Sequence, residues 1–156
     1  MDDTNVTLGE AVAAVSGFAL FLLMFVGWFE VDLVEIRVPG GSNVTGVGGT
    51  IDGWGAFGFP LDLLLFLVAA LAVAQVALRA TAAMPRLRTA PGLIVASAGA
   101  LAVLLIFYRL LDPPGAGDVS RKLGLFLSLL AASGITFGGY TAVAERPAQT
   151  SRARRL

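Results

Sequence analysis

Apolar residues along this chain fall into four long blocks separated by shorter polar segments. Each block approaches the ~20 residues that an α-helix needs to cross about 30 Å of hydrocarbon at about 1.5 Å per residue. We therefore predict an all-α membrane protein, a four-transmembrane-helix bundle that forms one domain over residues 1–156. The predicted spans are 11–29, 60–79, 92–110 and 121–143.

The segment between the first two spans, residues 30–59, has a different pattern. In WFEVDLVEIRV, apolar and charged residues alternate with period two, and the phase slips by one residue after Leu33. Period-two alternation predicts a β-strand, and a one-residue slip is typical of a bulge. Pro39-Gly40-Gly41 is a turn signal, after which SNVTGVGGTID can return as a second strand. The pattern predicts a small extracellular β-hairpin between helices 1 and 2.

The approach to the second span, TIDGWGAFGFPLD, combines a helix start with aromatic residues. Pro60 suits the first turn of a helix, where Asp62 is favoured by the helix dipole. Trp54 and Phe57 lie at the depth of an aromatic belt. The glycines around Trp54 indicate a backbone that packs closely against the protein's own helices or a partner. The segment YRLLDPPGAGDVSRKLG, after the third span, is predicted as a turn-rich cap beside the hairpin, since Pro113-Pro114-Gly115 excludes regular structure.

The amino-acid composition supports a membrane protein and excludes several kinds of catalytic and metal-binding site. The 156 residues are 56% hydrophobic and 14% charged, against roughly 25% charged in soluble domains. The chain has no Cys and no His, so disulfides, thiol chemistry and the commonest metal ligand are excluded. No P-loop, zinc or dinucleotide motif occurs. We predict no cofactor, no metal site and no enzymatic activity; an enzyme would have to use Asp52 and Asp62 together.

The distribution of charge predicts the topology. The opening decapeptide MDDTNVTLGE has three acids and no Lys or Arg, which favours a retained span over a cleaved signal peptide. Four spans place the middle loop and both tails on one side of the membrane, and the first and third loops on the other. The first and third loops carry four cations. The middle loop and the C-terminal tail carry seven arginines: Arg79, Arg86, Arg88, Arg146, Arg152, Arg154 and Arg155. The positive-inside rule therefore places both termini in the cytoplasm of a plasma-membrane protein. The basic tail, 144–156, anchors this topology beside lipid headgroups, and we predict no nucleic-acid partner.

Small residues mark the faces where the helices meet. The fourth span holds Gly134 and Gly138 as a G-x-x-x-G, and the third holds Gly92 and Ala96 at the same spacing. Such faces allow helices to approach closely in lipid, where the hydrophobic effect does not drive association. They favour packing within the bundle, with a homo-oligomer as the alternative. Gln75, late in the second span, is interpreted as an interhelical hydrogen-bonding group.

Three motifs resemble those of an uncharacterised family of small four-span bacterial membrane proteins. They are Gly53-Trp54-Gly55-Ala56-Phe57, the run YRLLDPP that starts at Tyr108, and Gly138-Gly139-Tyr140. The resemblance covers about residues 11–145 and implies fold and location only. A looser likeness links the chain to claudin-type tetraspans, which share four helices and a β-rich first extracellular loop with a Trp-containing end. The paired cysteines of that group are absent here, so the likeness is one of architecture.

These patterns support two main hypotheses for function. In the first, the protein is a structural or accessory membrane protein whose extracellular face docks a membrane or extracellular protein, or lipid. The candidate docking residues are Trp54, Phe57, Asp62, Arg109, Asp112 and Arg121. In the alternative, the chain is a small transporter or channel subunit with a polar path through helices 2 and 4. That path would consist of Gln75, Ser128, Ser133 and Thr136.

Overall fold

The fold is mostly helical, with small antiparallel sheets gathered at one end of the helices. The computed structural model describes residues 6–32, 35–37, 43–45, 48–81, 90–114 and 119–153, of which 35–37, 43–45 and 146–153 are described by their backbone alone. The helices are α1 (Leu8–Leu23), α2 (Gly53–Phe57), α3 (Leu61–Ala80), α4 (Pro91–Leu111) and α5 (Leu123–Ala153). The strands are β1 (Gly27–Val31), β2 (Glu35–Arg37), β3 (Asn43–Thr45), β4 (Gly49–Asp52) and β5 (Val119–Arg121).

Two of the three long apolar helices have almost the predicted bounds. Helix α3 begins and ends one residue after the span predicted at 60–79, and α4 extends one residue beyond 92–110 at each end. Asp62 lies in the first turn of α3 as the sequence indicated, whereas Pro60 directly precedes the helix rather than lying in its first turn. Helix α5 begins two residues later than predicted and its backbone continues to Ala153, so residues 144–153 of the predicted basic tail are helical.

The span predicted at 11–29 is wrong at both ends. Helix α1 begins at Leu8, where Thr7 and Glu10 form a capping box. It ends at Leu23, and residues 27–31 form β1. A register shift between Gly27 and Phe29 allows Trp28 and Phe29 to be buried side by side in the sheet. The apolar pattern continued past the helix because these two aromatics belong to the core, not to a fourth long helix.

Strand pairing confirms the predicted hairpin and adds a strand to it. β1 pairs antiparallel with β4, and β2 with β3, as expected for a chain that turns back near Pro39. The predicted turn and the predicted phase slip lie outside the described residues. The prediction of a turn-rich cap after α4 omitted a strand. This strand, β5, pairs with the other edge of β1. The result is a three-stranded sheet in the order β4-β1-β5.

Helices α1 and α5 form the centre of the bundle. α3 packs on α1, α4 packs on α5, and α3 and α4 meet over a much smaller area. A Cβ on Gly138 would lie 2.5 Å from the Ala13 nitrogen of α1, and a Cβ on Gly92 would lie 2.7 Å from the Gly139 oxygen of α5. A Cβ on Gly134 would likewise lie too close to the Ser16 side chain of α1. The small residues singled out in α4 and α5 therefore face neighbouring helices of the same chain.

The two ends of the bundle differ in structure. The sheet and α2 lie at one end, which we call the sheet end. At the other end, the amide of Gly9 donates a hydrogen bond to Glu145 Oε2 at 3.2 Å, so the start of α1 lies beside α5 near its Glu145. We call this the terminal end. α3, α4 and the part of α5 up to Glu145 are each long and apolar enough to cross a membrane, and α1 is a shorter apolar helix. These helices indicate a multi-pass membrane protein.

Candidate functional site

Trp28 attaches the sheet to the ends of the helices. Its indole Nε1 donates a hydrogen bond at 2.8 Å to the carbonyl of Leu23, the last residue of α1, which also accepts a hydrogen bond from the amide of Val26. A Cβ on Gly53 would lie 3.0 Å from the Trp28 ring and 2.8 Å from the Cα of Met24. The glycine at position 53 is thus required by close packing against the protein itself. Trp28 was not singled out from the sequence because it lies inside the first apolar block.

Trp54 stands in a group of four aromatic rings between α1, α2 and α3. Its ring centroid is 5.9 Å from that of Phe25 and 5.9 Å from that of Phe66. Phe21 closes the group, at 5.3 Å from Phe25 and 5.9 Å from Phe66. These separations are typical of favourable aromatic pairs. Trp54 is half-buried, and its Nε1 is buried without a hydrogen-bond partner in the described part of the chain.

Phe57, Asp62 and Arg109 form a second contact group at the sheet end. The guanidinium carbon of Arg109 lies 5.4 Å from the centre of the Phe57 ring, within the range of a cation–π interaction. The Asp62 carboxylate interacts with the charge of Arg109 and with the backbone of Phe57 and Gly58. Asp62 is 9% exposed, and its Oδ1 has no hydrogen-bond partner among the described residues. The predicted helix-start carboxylate is therefore largely covered.

Asp112 and Arg121 are the exposed members of the predicted docking set. Tyr108 donates its hydroxyl hydrogen bond to Asp112 Oδ2 at 2.8 Å, and Arg109 Nη1 donates to the Asp112 carbonyl at 3.2 Å. Arg121 Nε donates to the carbonyl of Leu110 at 2.7 Å, which ties β5 to the end of α4. Asp118, the other acidic residue of the segment after α4, lies outside the described residues.

The structure thus brings all six predicted docking residues to the sheet end, but it divides them. Trp54, Phe57 and Asp62 have most of their surface in contacts within the chain. The accessible surface of this end includes Asp112 and Arg121 together with side chains that were not selected from the sequence. These are Glu30, Phe59, Ser120 and Leu123, with Phe59 85% exposed.

A buried polar cluster at the terminal end was missed from the sequence. Glu10 of α1 is fully buried, and its Oε1 lies 2.6 Å from Arg79 Nε of α3. Because the Nε–H bond does not point at that oxygen, the contact is an ion pair rather than a hydrogen bond. Gln75 donates to the same oxygen at 3.2 Å, and Thr7 donates its amide to Oε2 at 3.1 Å. Two features of the sequence could have predicted this cluster. One is the T-x-x-E capping box, and the other is the spacing of Gln75 and Arg79 by one helical turn.

The four residues of the alternative polar path make hydrogen bonds in different surroundings. Gln75 is directed at Glu10 across the α1–α3 contact. Ser128, Ser133 and Thr136 each donate to a backbone carbonyl one turn earlier in α5. Ser133 and Thr136 both line an apolar groove of about 580 Å³ between α4 and α5, which neither of the other two residues lines.

Possible metal ligands do not cluster in the part of the chain that the structure describes. There, no three acidic side chains are close enough together to coordinate a metal ion. Asp52 Oδ1 accepts the amide hydrogen bond of Gly55 at 2.9 Å and caps α2. Asp52 therefore has a structural contact of its own, and it also lies close enough for its charge to act on the Asp62 carboxylate, which interacts with Arg109 and with the Phe57 backbone as well.

Comparison with protein-family models, with curated proteins and with solved structures finds no match to this chain. The resemblance drawn from the sequence motifs therefore stays a prediction.

Proposed function

We propose that this chain is a non-enzymatic plasma-membrane protein with four spans, and that its sheet end is an extracellular platform that docks a partner protein. Both termini are cytoplasmic in this proposal. It has two parts, the number of spans and the role of the sheet end. Each part has its own support and its own test.

Helix α1 supplies the fourth span in this proposal, although it has only 16 residues. At about 1.5 Å per residue it is about 24 Å long, a few ångströms short of an average hydrocarbon layer. Bilayers thin locally around short spans at modest cost. α1 lies against both α3 and α5, and it exposes Val15, Phe18 and Leu22 on its outer side at 71%, 55% and 50%. Large exposed apolar side chains of this kind suit lipid rather than water.

The observation that carries the docking role is the addition of β5 to the sheet. Two chain segments, one after α1 and one after α4, meet in one sheet that Trp28 and Arg121 attach to the helix ends. A sheet fixed in this way presents its exposed side chains with little conformational freedom, and preorganised surfaces bind with a smaller entropic cost. The terminal end has no comparable sheet among the described residues.

The charge of the sheet end favours a basic partner surface. The chain carries seven carboxylates and four cations in the segments that precede, form or follow the sheet. They are Glu30, Asp32, Glu35, Asp52, Asp62, Asp112, Asp118, and Arg37, Arg109, Arg121, Lys122. Three net negative charges near the membrane surface steer association with cationic surfaces, and the effect weakens as salt screens it.

Site-specific photocrosslinking in native membranes tests the docking role. The photoreactive residue belongs at Ser120, which is exposed on β5, rather than at Trp54, which is half-buried. Leu104 in the middle of α4, 66% exposed, is the matched control because it faces lipid in the proposed topology. We expect a discrete protein adduct from position 120 and only lipid adducts from position 104. Lipid adducts alone from both positions would refute the docking platform.

Reporter fusions test the number of spans separately. If α1 crosses the membrane, activity reporters fused to the N-terminus and to the C-terminus both report the cytoplasm. If only α3, α4 and α5 cross, the two reporters lie on opposite sides, and the four-span proposal fails.

A further inference from the structure

Exposed large apolar side chains on helices α1, α3, α4 and α5 end at two levels. At the sheet end, the outermost of them among the described residues are Val26, Phe59, Leu111 and Leu123, which we call the sheet-end ring. At the terminal end they are Val6, Leu78, Leu93 and Tyr140, which we call the terminal-end ring. Each of the four helices provides one member of each ring, in the helix or within three residues of it.

Contacts between neighbouring helices hold the members of the sheet-end ring at similar levels. A Cβ on Gly124, the residue after Leu123, would lie 3.2 Å from Val26 Cγ1. The Arg109 guanidinium lies 5.4 Å from the centre of the Phe57 ring. These two residues come two positions before the ring members of α4 and α3. The ring is therefore continuous around the ends of the helices.

The terminal-end ring is aligned by similar contacts. A Cβ on Gly92 would lie 2.7 Å from the Gly139 oxygen, and the next residues along the chain, Leu93 and Tyr140, belong to the ring. The ion pair between α1 and α3 lies within four residues of the other two members. Each ring thus marks one level across the bundle rather than four unrelated positions in the chain.

The separation of the two rings matches the thickness of a hydrocarbon layer. The two members on each helix are 17–20 residues apart. This separation corresponds to about 26–30 Å at about 1.5 Å per residue. The hydrocarbon core of a bilayer is about 30 Å thick. The helices themselves range from 16 to 31 residues, so a common apolar band between the rings does not follow from their lengths.

The charged residues within this band are covered by the protein. Between the ring members of the four helices, the only Asp, Glu, Lys or Arg residues are Glu10, Asp62 and Arg109. Glu10 is fully buried, Asp62 is nearly so, and Arg109 is half-buried. Charged side chains are costly in hydrocarbon and are expected to face the interior of a bundle. The outer surface of the band is therefore suited to lipid.

At the sheet end, the change from apolar to charged side chains takes place within one residue. Asp112 directly follows Leu111, and Lys122 directly precedes Leu123. Consecutive Cα atoms are about 3.8 Å apart. The headgroup region adds about 5–7 Å on each side of the hydrocarbon core. Lys122 pairs with Glu30 at 3.1 Å and keeps 35% of its side chain exposed, so its ammonium group remains accessible to a lipid phosphate.

We propose that the sheet-end ring marks the boundary of the hydrocarbon layer, and that Asp112 and Lys122 lie in the phospholipid headgroup layer of that leaflet. The lipid surface is then a direct contact of the sheet end, and a protein partner has to reach this end at the level of the headgroups. This boundary rests on the membrane-spanning part of the proposed function and not on the docking of a partner.

Site-directed spin labelling of the full chain tests the boundary, because the chain has no Cys and each substitution introduces a single attachment site. The protein is reconstituted in vesicles of phosphatidylcholine and phosphatidylglycerol. The labelled variants are Phe59→Cys and Leu123→Cys in the ring, Asp112→Cys beside it, Leu104→Cys in the middle of α4, and Gly49→Cys on β4. Gly49 pairs with Val31 at the far end of β1 and has open space around it, so it is the aqueous reference.

The readout is the ratio of spin relaxation by molecular oxygen, which concentrates in hydrocarbon, to relaxation by a water-soluble nickel chelate. We expect the highest ratio at position 104. Ratios at positions 59 and 123 should exceed that at position 49 by about tenfold, because hydrocarbon excludes a polar reagent. Position 112 should give an intermediate value. If either ring variant does not fold, Leu111→Cys replaces it with the same expected ratio.

Three results would overturn the proposal. Ratios at positions 59 and 123 that equal the ratio at position 49 would place the ring in water. A ratio at position 112 that equals the aqueous reference would remove Asp112 from the headgroup layer. A label introduced by Val26→Cys that is aqueous, beside lipid-exposed labels at 59 and 123, would remove α1 from the ring. These depths are measured without a partner, so lipid adducts alone in the crosslinking experiment would refute only the docking role.

Discussion

The pair formed by Glu10 and Arg79 joins α1 to α3 where both helices are covered, and its removal has a predictable cost. The perturbation is Glu10→Gln, which removes the negative charge and keeps the shape of the side chain. The Gln75 side chain and the Thr7 amide both donate to Glu10. Glutamine still offers one oxygen, so only part of this hydrogen bonding is lost. The main loss is the charge opposite Arg79.

The structure sets the size of the effect. Glu10 is fully buried and the Arg79 side chain is 14% exposed, so solvent screens their contact at 2.6 Å only weakly. Removing one partner of a buried ion pair costs about 3–5 kcal/mol, because the remaining charge is left uncompensated. Arg79 lies near the end of α3 and can extend toward water, which favours the lower limit. We expect Glu10→Gln to lower the free energy of unfolding by about 3 kcal/mol, of a total of about 5–15 kcal/mol.

The assay is a double-mutant cycle measured by reversible denaturant unfolding in mixed micelles, with circular dichroism as the readout. The cycle contains Glu10→Gln, Arg79→Gln and the double variant. We expect the double variant to be about 2 kcal/mol more stable than the sum of the single effects predicts, since neither charge is then left alone. The control is Glu30→Gln, which removes the exposed 3.1 Å pair with Lys122. Exposed pairs contribute about 0–1 kcal/mol.

Two results would refute this reasoning. In one, Glu10→Gln costs no more than the Glu30→Gln control, which means that the buried charge is not held by Arg79. In the other, the single effects add up to that of the double variant, which means that the two side chains act independently of each other.

Three further predictions follow from packing at named positions, each measured by the same unfolding assay. Gly138→Ala places a Cβ 2.5 Å from a backbone nitrogen of α1 and should cost about 1–3 kcal/mol, whereas Gly49→Ala, with no atom within 4 Å of the new Cβ, should change stability by less than about 0.5 kcal/mol. Trp28→Phe removes the hydrogen bond to the Leu23 carbonyl and part of a fully buried ring, and should cost about 2 kcal/mol or more. Arg109→Gln removes the cation–π contact and should cost about 1 kcal/mol, of which Arg109→Lys should recover part. Equal stability of the two glycine variants, or an unaltered protein after either of the other changes, would contradict the corresponding contact.

The sequence by itself determined those helices that are continuous apolar runs. α3 and α4 are continuous apolar runs with Pro60 or Pro91 at their starts, so their length and bounds follow from local chemistry. The pairing of β2 with β3 likewise agrees with the period-two alternation and the Pro-Gly turn signal read from the sequence. The spacing of Gly134 and Gly138 predicted a close helix contact, although it did not identify α1 as the neighbour.

Only the tertiary structure decided which apolar or charged residue belongs to which environment. Trp28 and Phe29 are equally apolar in a membrane helix and in a sheet core, so hydropathy extended α1 past Leu23. Glu10 lies near the end of its apolar block and resembles a boundary residue. It is buried because α3 places Gln75 and Arg79 opposite it, and such a match between distant segments has no local signal.

The same reason explains the sheet end. The pairing of β5 with β1 joins segments that are far apart in the chain, and the strand itself is three residues long, too short for a clear period. Trp54 and Phe57 were expected on a docking surface, because a sequence records that a side chain is aromatic but not what it contacts. Local chemistry thus determined the helices and the hairpin, whereas the three-dimensional meeting of α1, α3 and the two sheet-forming segments decided what is buried and what is exposed.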